Sequence, residues 1–181
     1  MHEIETKILE VDKDSIEKKL ESLGANKISE QRLAVDWYGP KGTPHDGDVP
    51  YFLRIRTYGV TGKNEITWKG KSDILGTARK HKEINFTVSS AISAAALFEE
   101  LGLEKYAHQE KDRVSWTLKE WQFDHDQYPG MPAYLEIEGT SEEHIQEAIQ
   151  LLDLKNHLTS SEGETALIEK HYGLNWFDMH F

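Results

Sequence analysis

In several stretches of this chain, residues two apart carry charge while the residues between them are apolar. Glu3, Glu5 and Lys7 alternate with Ile4, Thr6 and Ile8, Arg54 and Arg56 with Leu53 and Ile55, and Glu65, Thr67 and Lys69 with Ile66 and Trp68. Lys111 and Arg113 oppose Val114 and Trp116, Asp124 shares a face with Asp126, and Glu136 and Glu138 oppose Leu135 and Ile137. Side chains two apart share one face of a β-strand, so each stretch reads as a strand with one apolar and one charged face. A sheet with one face in water gives the same alternation. Here, however, the charges come largely as like-signed pairs, whereas solvated faces mix signs. The pattern suits a curved, closed sheet whose charged faces turn inward.

Strands are expected over residues 3–11, 28–38, 51–58, 64–69, 80–88, 104–118, 121–126 and 133–138. Between them, Asp12 opens a helix through Leu23, with Ile16, Leu20 and Leu23 at helical spacing and Gly24 beyond its end. Ser89-Ser90 caps a helix through Leu101, and Ser141 caps another through Leu152. A short helix is expected over 166–171, and Trp176 to Phe181 forms an aromatic tail, expected to be docked, with a lid or a dimer contact as alternatives. Residues 39–50 hold three Gly and three Pro and read as a loop, at most a gate at a barrel mouth. Short turns and single helices join the strands, so the expected fold is α+β: a closed antiparallel eight-stranded β-barrel, a tunnel, with flanking helices.

A length of 181 residues suits a single domain over 1–181. No apolar run approaches ~20 residues, which argues against a membrane span, and the charged N-terminus lacks a secretory h-region. The chain has no cysteine, which excludes disulfides and thiolate metal sites. These features point to a cytoplasmic protein. The formal charge of −11, from 21 Lys+Arg against 32 Asp+Glu, repels nucleic acid and anionic membranes at long range. Any anion site must therefore concentrate its cations locally.

An inward-turned arrangement would do so. The interior would hold Lys7, Arg54, Arg56, Lys69, Lys111 and Arg113 together with Glu3, Glu5, Asp126, Glu136 and Glu138. Two carboxylates about 5 Å apart repel by roughly 3 kcal/mol at an effective dielectric near 20, so several such pairs call for a divalent cation. Oxygen ligands without thiolate point to Mg²⁺ or Mn²⁺. The cations likewise call for a polyanion, and a triphosphate fits: each charge-assisted contact contributes roughly 1.5–3 kcal/mol. The nine histidines are scattered, without HxH or HExxH spacing, and most are expected at the surface rather than at a metal.

In order, these residues resemble the CYTH superfamily, also called triphosphate tunnel metalloenzymes. Glu3, Glu5 and Lys7 stand for its opening ExExK strand, Arg54 and Arg56 for an RxR strand, and Lys69 for a lysine after Thr-x. Lys111 and Arg113 stand for a KxR pair, Asp126 for an aspartate before a Gly-containing turn, and Glu136 and Glu138 for a closing ExE strand. The series spans residues 3–138. One strand departs from the pattern: Glu83 is kept, but His81 stands where an arginine is found and Asn85 where a second acid is common. Arg79 or Lys82 is the candidate replacement for that arginine, and Asn85 leaves the metal count at one or two.

The resemblance implies a tunnel open at both ends, in which Lys7, Arg54, Arg56, Lys69, Lys111 and Arg113 grip a triphosphate. It implies that Glu3, Glu5, Glu83, Asp126, Glu136 and Glu138 hold Mg²⁺ or Mn²⁺. In a triphosphatase water attacks the terminal phosphorus; in a class IV adenylate cyclase the ribose 3′-hydroxyl attacks the α-phosphorus of ATP. Lys111 or Lys69, with a depressed pKa, is the candidate general base. Hydrolysis of an inorganic or organic triphosphate is the expected activity, since it needs only water and the tunnel and no purine-specific motif is evident. Adenylate cyclisation is the alternative, and a non-catalytic polyphosphate- or nucleotide-binding module a further one. The expected partner is a triphosphate-containing small molecule, with no nucleic acid and no membrane, and the expected state is a monomer or homodimer.

Overall fold

The eight expected strands close into one antiparallel ring. The structure, a computed structural model, describes residues 2–42 and 51–181, so most of the proposed loop over 39–50 lies outside the described residues. The elements are β1 (His2–Leu9), α1 (Lys13–Ser22), β2 (Asn26–Pro40), β3 (Tyr51–Tyr58), β4 (Asn64–Gly70), β5 (Asp73–Leu75), β6 (Ala78–Val88), α2 (Ala91–Glu100), β7 (Leu103–Leu118), β8 (Trp121–Gln127), β9 (Tyr134–Gly139), α3 (Glu142–Leu151) and β10 (Thr159–Ser160). A helical turn at Glu164–Ala166 runs on into a π-helical turn at Leu167–His171, and a 3-10 turn follows at Trp176–Asp178. The ring order is β1-β9-β8-β7-β2-β3-β4-β6, and β6 pairs back onto β1 to close it. The short β5 and β10 extend β6 and β1 and were not expected from the sequence.

Helix ends follow local chemistry. Asp12 accepts a hydrogen bond from the Ser15 amide at 2.9 Å, and Ser90 and Ser141 do the same for Ser93 and His144. Gly24 and Gly102 take positive φ just beyond α1 and α2, a conformation glycine adopts without a Cβ clash. Strand ends differ from expectation: β1 stops at Leu9, β2 runs from Asn26 to Pro40, and β6 begins at Ala78.

The apolar strand faces point outward and are covered by helices. Ile8, Val114, Phe123, Leu135 and Ile137 meet Ile16 and Leu20 of α1 and Ile145 and Ile149 of α3. Tyr38, Leu53, Ile55 and Ile66 meet Ala94 and Phe98 of α2. A third apolar cluster joins Leu33, Val35 and Trp37 of β2 to Leu167, Ile168, Trp176 and Met179 of the C-terminal segment. The aromatic tail is docked: the Gln109 amide donates to the Trp176 carbonyl at 2.9 Å and the Glu110 backbone N–H to the Met179 carbonyl at 2.7 Å. Among the described residues no helix is long and apolar enough to cross a membrane.

Phe123 is fully buried between the barrel and its helices. Phe123→Ala is expected to lower the unfolding free energy by about 3–5 kcal/mol, read from urea denaturation followed by circular dichroism.

Candidate functional site

Strand register decides which charges meet inside the ring. Directly opposed residues share a face, and the ladders oppose Glu3 to His81, Glu5 to Arg79 and Glu138, and Lys7 to Glu136. They also oppose Lys69 to Glu83, Arg113 to Asp126, and Asp124 to Glu136. The inward side chains enclose a cavity of about 680 Å³. Arg54, Arg56, Lys69, Arg79, Lys111 and Arg113 line it together with Glu3, Glu83, Glu136 and Glu138, and the C-terminal segment adds Glu164, Lys170 and Trp176. A second cavity, of about 630 Å³, shares Glu3, Glu83, Asn85, Gln122 and Glu138 with the first.

The carboxylates gather in three overlapping groups: Glu3 with His81 and Glu83, Glu3 with Glu5 and Glu138, and Asp124 with Glu136 and Glu138. Within each group the ligand atoms lie within 4.8 Å of one another. Burial and the neighbouring Glu3, Glu136, Asp124 and Glu5 push the Glu138 carboxyl up to about 10, so it keeps its proton at neutral pH. Glu5 is fully buried, and its Oε2 accepts no hydrogen bond among the described residues, with Lys69 Nζ at 3.8 Å. Clustered oxygens, one held protonated by burial and neighbouring acids and one without a donor among the described residues, fit a divalent cation of the Mg²⁺ or Mn²⁺ kind.

The cations differ in how they are satisfied. Arg113 is saturated: it grips Asp126 through Nε and Nη2, both at 2.6 Å, and reaches Asp124 through Nη1 at 2.6 Å. Lys111 donates to Asp126 at 2.8 Å and to Glu164. Arg79 holds Glu5 through Nε at 2.5 Å. Arg54, only 8% exposed, has no hydrogen bond or ion pair among the described residues; its guanidinium lies 5.5 Å from the Trp37 ring. Burial and the adjacent Arg56 lower its pKa. Among the described residues Arg56 reaches only the Tyr58 hydroxyl at 3.3 Å and Glu65 at 3.6 Å.

The structure thus brings Arg54, Arg56, Lys69, Lys111, Arg113, Glu3, Glu83, Glu136 and Glu138 to one cavity, with Glu5 directly behind them. Lys7 is fully buried against Glu136 at 3.0 Å and Glu5 at 3.4 Å rather than lining the cavity. Asp126 stands outside the three ligand groups because both its oxygens serve Arg113; Asp124, two residues earlier, joins one instead. Arg79 is the interior arginine, and Lys82 is exposed. Burial pulls the Lys69 amine down, but Glu5, Glu3 and Glu83 outweigh it and hold the amine above its ordinary value, opposite to what a general base requires. Among the described residues His81 and His125 are buried, and the other histidines are exposed or half-buried.

Two participants were not among the expected site residues. Glu164, on the C-terminal segment, accepts from Lys111, from the Tyr134 hydroxyl at 2.9 Å and from the Tyr128 hydroxyl at 3.1 Å. Burial opposes ionisation of Glu164, but Lys111 and Arg54 hold its pKa below the usual carboxylate range. Its only sequence signal is an acid, two residues after Glu162, next to a short helix. Asp124 had a signal, its shared face with Asp126.

Comparison with known proteins agrees with this geometry. The profile of the CYTH domain matches residues 1–167. No curated protein sequence matches the chain. Among solved structures, the PH1012 protein of Pyrococcus horikoshii is 26% identical with a TM-score of 0.70, covering 85% of this chain and 92% of that one. HpAC1 of Hippeastrum, described as a candidate adenylyl cyclase with a dominant triphosphatase activity, is 16% identical with a TM-score of 0.65, covering 98% and 100%. The Mimivirus capping enzyme triphosphatase is 11% identical with a TM-score of 0.51, covering 84% and 89%. On the profile match, and with the same barrel in its structural neighbours, the chain belongs to the CYTH domain family.

Proposed function

We propose that this protein binds a triphosphate-bearing small molecule in the barrel and hydrolyses its terminal phosphoryl group with the help of divalent metal. The observation that carries the reading is Arg54: a desolvated guanidinium that makes no hydrogen bond or ion pair among the described residues, beside the weakly engaged Arg56, lining a cavity large enough for a triphosphate. Leaving a buried cation unpaired costs several kcal/mol, and an oxyanion recovers that cost.

In this reading Arg54, Arg56, Lys69 and Lys111 contact phosphate oxygens, while Arg113 and Lys7, locked to acids, position those acids. Glu3, Glu5, Glu83, Glu136 and Glu138, with Asp124 in place of Asp126, would hold Mg²⁺ or Mn²⁺. The ion, when bound, neutralises charge on the transferring phosphoryl group. Water oxygen forms a bond to the terminal phosphorus, the bridging P–O bond breaks, and orthophosphate and a diphosphate leave. Lys69 acts as a charge partner, and Lys111 is the remaining amine candidate for proton transfer. Described relatives of this fold include triphosphatases, which supports hydrolysis. A cytoplasmic monomer or homodimer completes the proposal.

Trp37, Phe52, Tyr58 and Trp176 also line the cavity and offer an apolar wall to an organic head group. That wall keeps cyclisation of ATP as a second reading. Incubation with ATP or inorganic triphosphate and either metal separates the two: orthophosphate is expected, and cyclic AMP with pyrophosphate as the main product would overturn hydrolysis. Arg54→Ala is expected to lower kcat/KM for triphosphate by roughly 10- to 150-fold, the loss of one charge-assisted contact, with an unchanged circular dichroism spectrum.

Glu138 supplies a pH signature. Its folded pKa of about 10 lies above the ordinary 4.5, so the folded state binds a proton that the unfolded state releases, and stability falls as pH rises between those values. In chelator, Glu138→Gln is expected to gain melting temperature relative to the parent as pH rises from 5 towards 10, measured by thermal denaturation at each pH.

A further inference from the structure

Two β6 residues depart from the family pattern, and the structure places them on the same carboxylate. His81 is 3% exposed, and its Nε2 faces Glu3 and, at 3.7 Å, Glu83 Oε2. Asn85 Nδ2 donates to Glu83 Oε1 at 2.8 Å, which fixes the carboxylate with its other oxygen towards His81. Such outer hydrogen bonds orient metal ligands. One nitrogen and two carboxylate oxygens lie within 4.8 Å of one another. Glu3 links this group to Glu5, whose fully buried Oε2 accepts no hydrogen bond among the described residues.

We infer that Glu3, His81 and Glu83 form a mixed nitrogen–oxygen site that takes a divalent first-row transition ion in preference to Mg²⁺. The inference rests on reading the acid cluster as a metal site and adds which ion one part of it selects. Mg²⁺ demands near-ideal octahedral oxygen coordination, keeps its waters and gains little from imidazole. Transition ions accept imidazole, and their affinity for nitrogen donors rises along the first row. Lys69 Nζ lies 2.7 Å from Glu3 Oε2 and 2.9 Å from Glu83 Oε2. An ion bound there takes over those oxygens and releases the ammonium towards the cavity.

Mn²⁺ is the probe, added without substrate to the whole protein. Pulsed electron paramagnetic resonance should show hyperfine coupling from a histidine ¹⁴N to bound Mn²⁺, and His81→Gln should remove it. By titration calorimetry, His81→Gln is expected to weaken Mn²⁺ binding by about tenfold or more, and Asn85→Ala, an outer-contact loss, to weaken it by about tenfold. Mg²⁺ affinity should change by less than about threefold in His81→Gln. Absence of ¹⁴N coupling in the parent overturns the site even if His81→Gln fails to fold, and equal weakening of both ions overturns the selectivity. Binding is read without turnover, so a protein that does not hydrolyse triphosphate yet shows the coupling refutes the proposed activity and leaves this site standing.

Discussion

Charge held away from water is the constraint on which the rest of this structure depends. Pairing of β6 with β1 closes the sheet and places Glu5 opposite Arg79 and Glu3 opposite His81. Every inward ion must then find a counter-charge within reach, because water no longer supplies one. The chain meets this by interleaving: Lys7 between Glu5 and Glu136, Arg113 across Asp124 and Asp126, Lys69 among Glu3, Glu5 and Glu83. The exceptions are chemically informative. Arg54 makes no hydrogen bond or ion pair among the described residues, and Glu138 holds its proton because it is buried among other acids.

The same closure reverses the usual roles of the two sheet faces. A barrel with ions inside has no room for its main core there, so the apolar faces of β1, β7, β8 and β9 look outward and need α1 and α3 to cover them. α2 does the same for β2, β3 and β4. The flanking helices therefore allow the interior to be polar. Around β2 the inner face turns apolar, where Leu33, Val35 and Trp37, with Leu9 of β1 and Tyr134 of β9, receive the C-terminal segment.

The barrel was legible because a period of two is a local property, and six stretches displayed it. The side-chain face was legible for the same reason, which is why Arg54, Arg56, Lys111 and Glu136 were correctly turned inward. Neighbours across strands were not, since register depends on distant segments. Asp126 and Asp124 share a face, but pairing sets Asp126 against Arg113 and Asp124 against Glu136, so Asp124 is the one that joins a carboxylate group. Lys7 likewise meets Glu136 rather than the cavity. Arg79 fell just outside the strand as read from the sequence, because β6 starts two residues earlier, at Ala78. Glu164 reaches Lys111 across 53 positions, and no local pattern announces such a contact.

The docked C-terminal segment has a consequence for how the protein comes into being. The strands that carry most of the interior charge are complete by Gly139, yet Glu164 and Trp176 supply the last wall. During synthesis the ring can therefore close while Lys111 lacks Glu164 and the apolar side chains of β2 lack their cover. For that interval Lys111 keeps Asp126 but lacks its second acid, and a greasy strip lies exposed beside it. Both are resolved only when residues 164–179 fold back onto the ring.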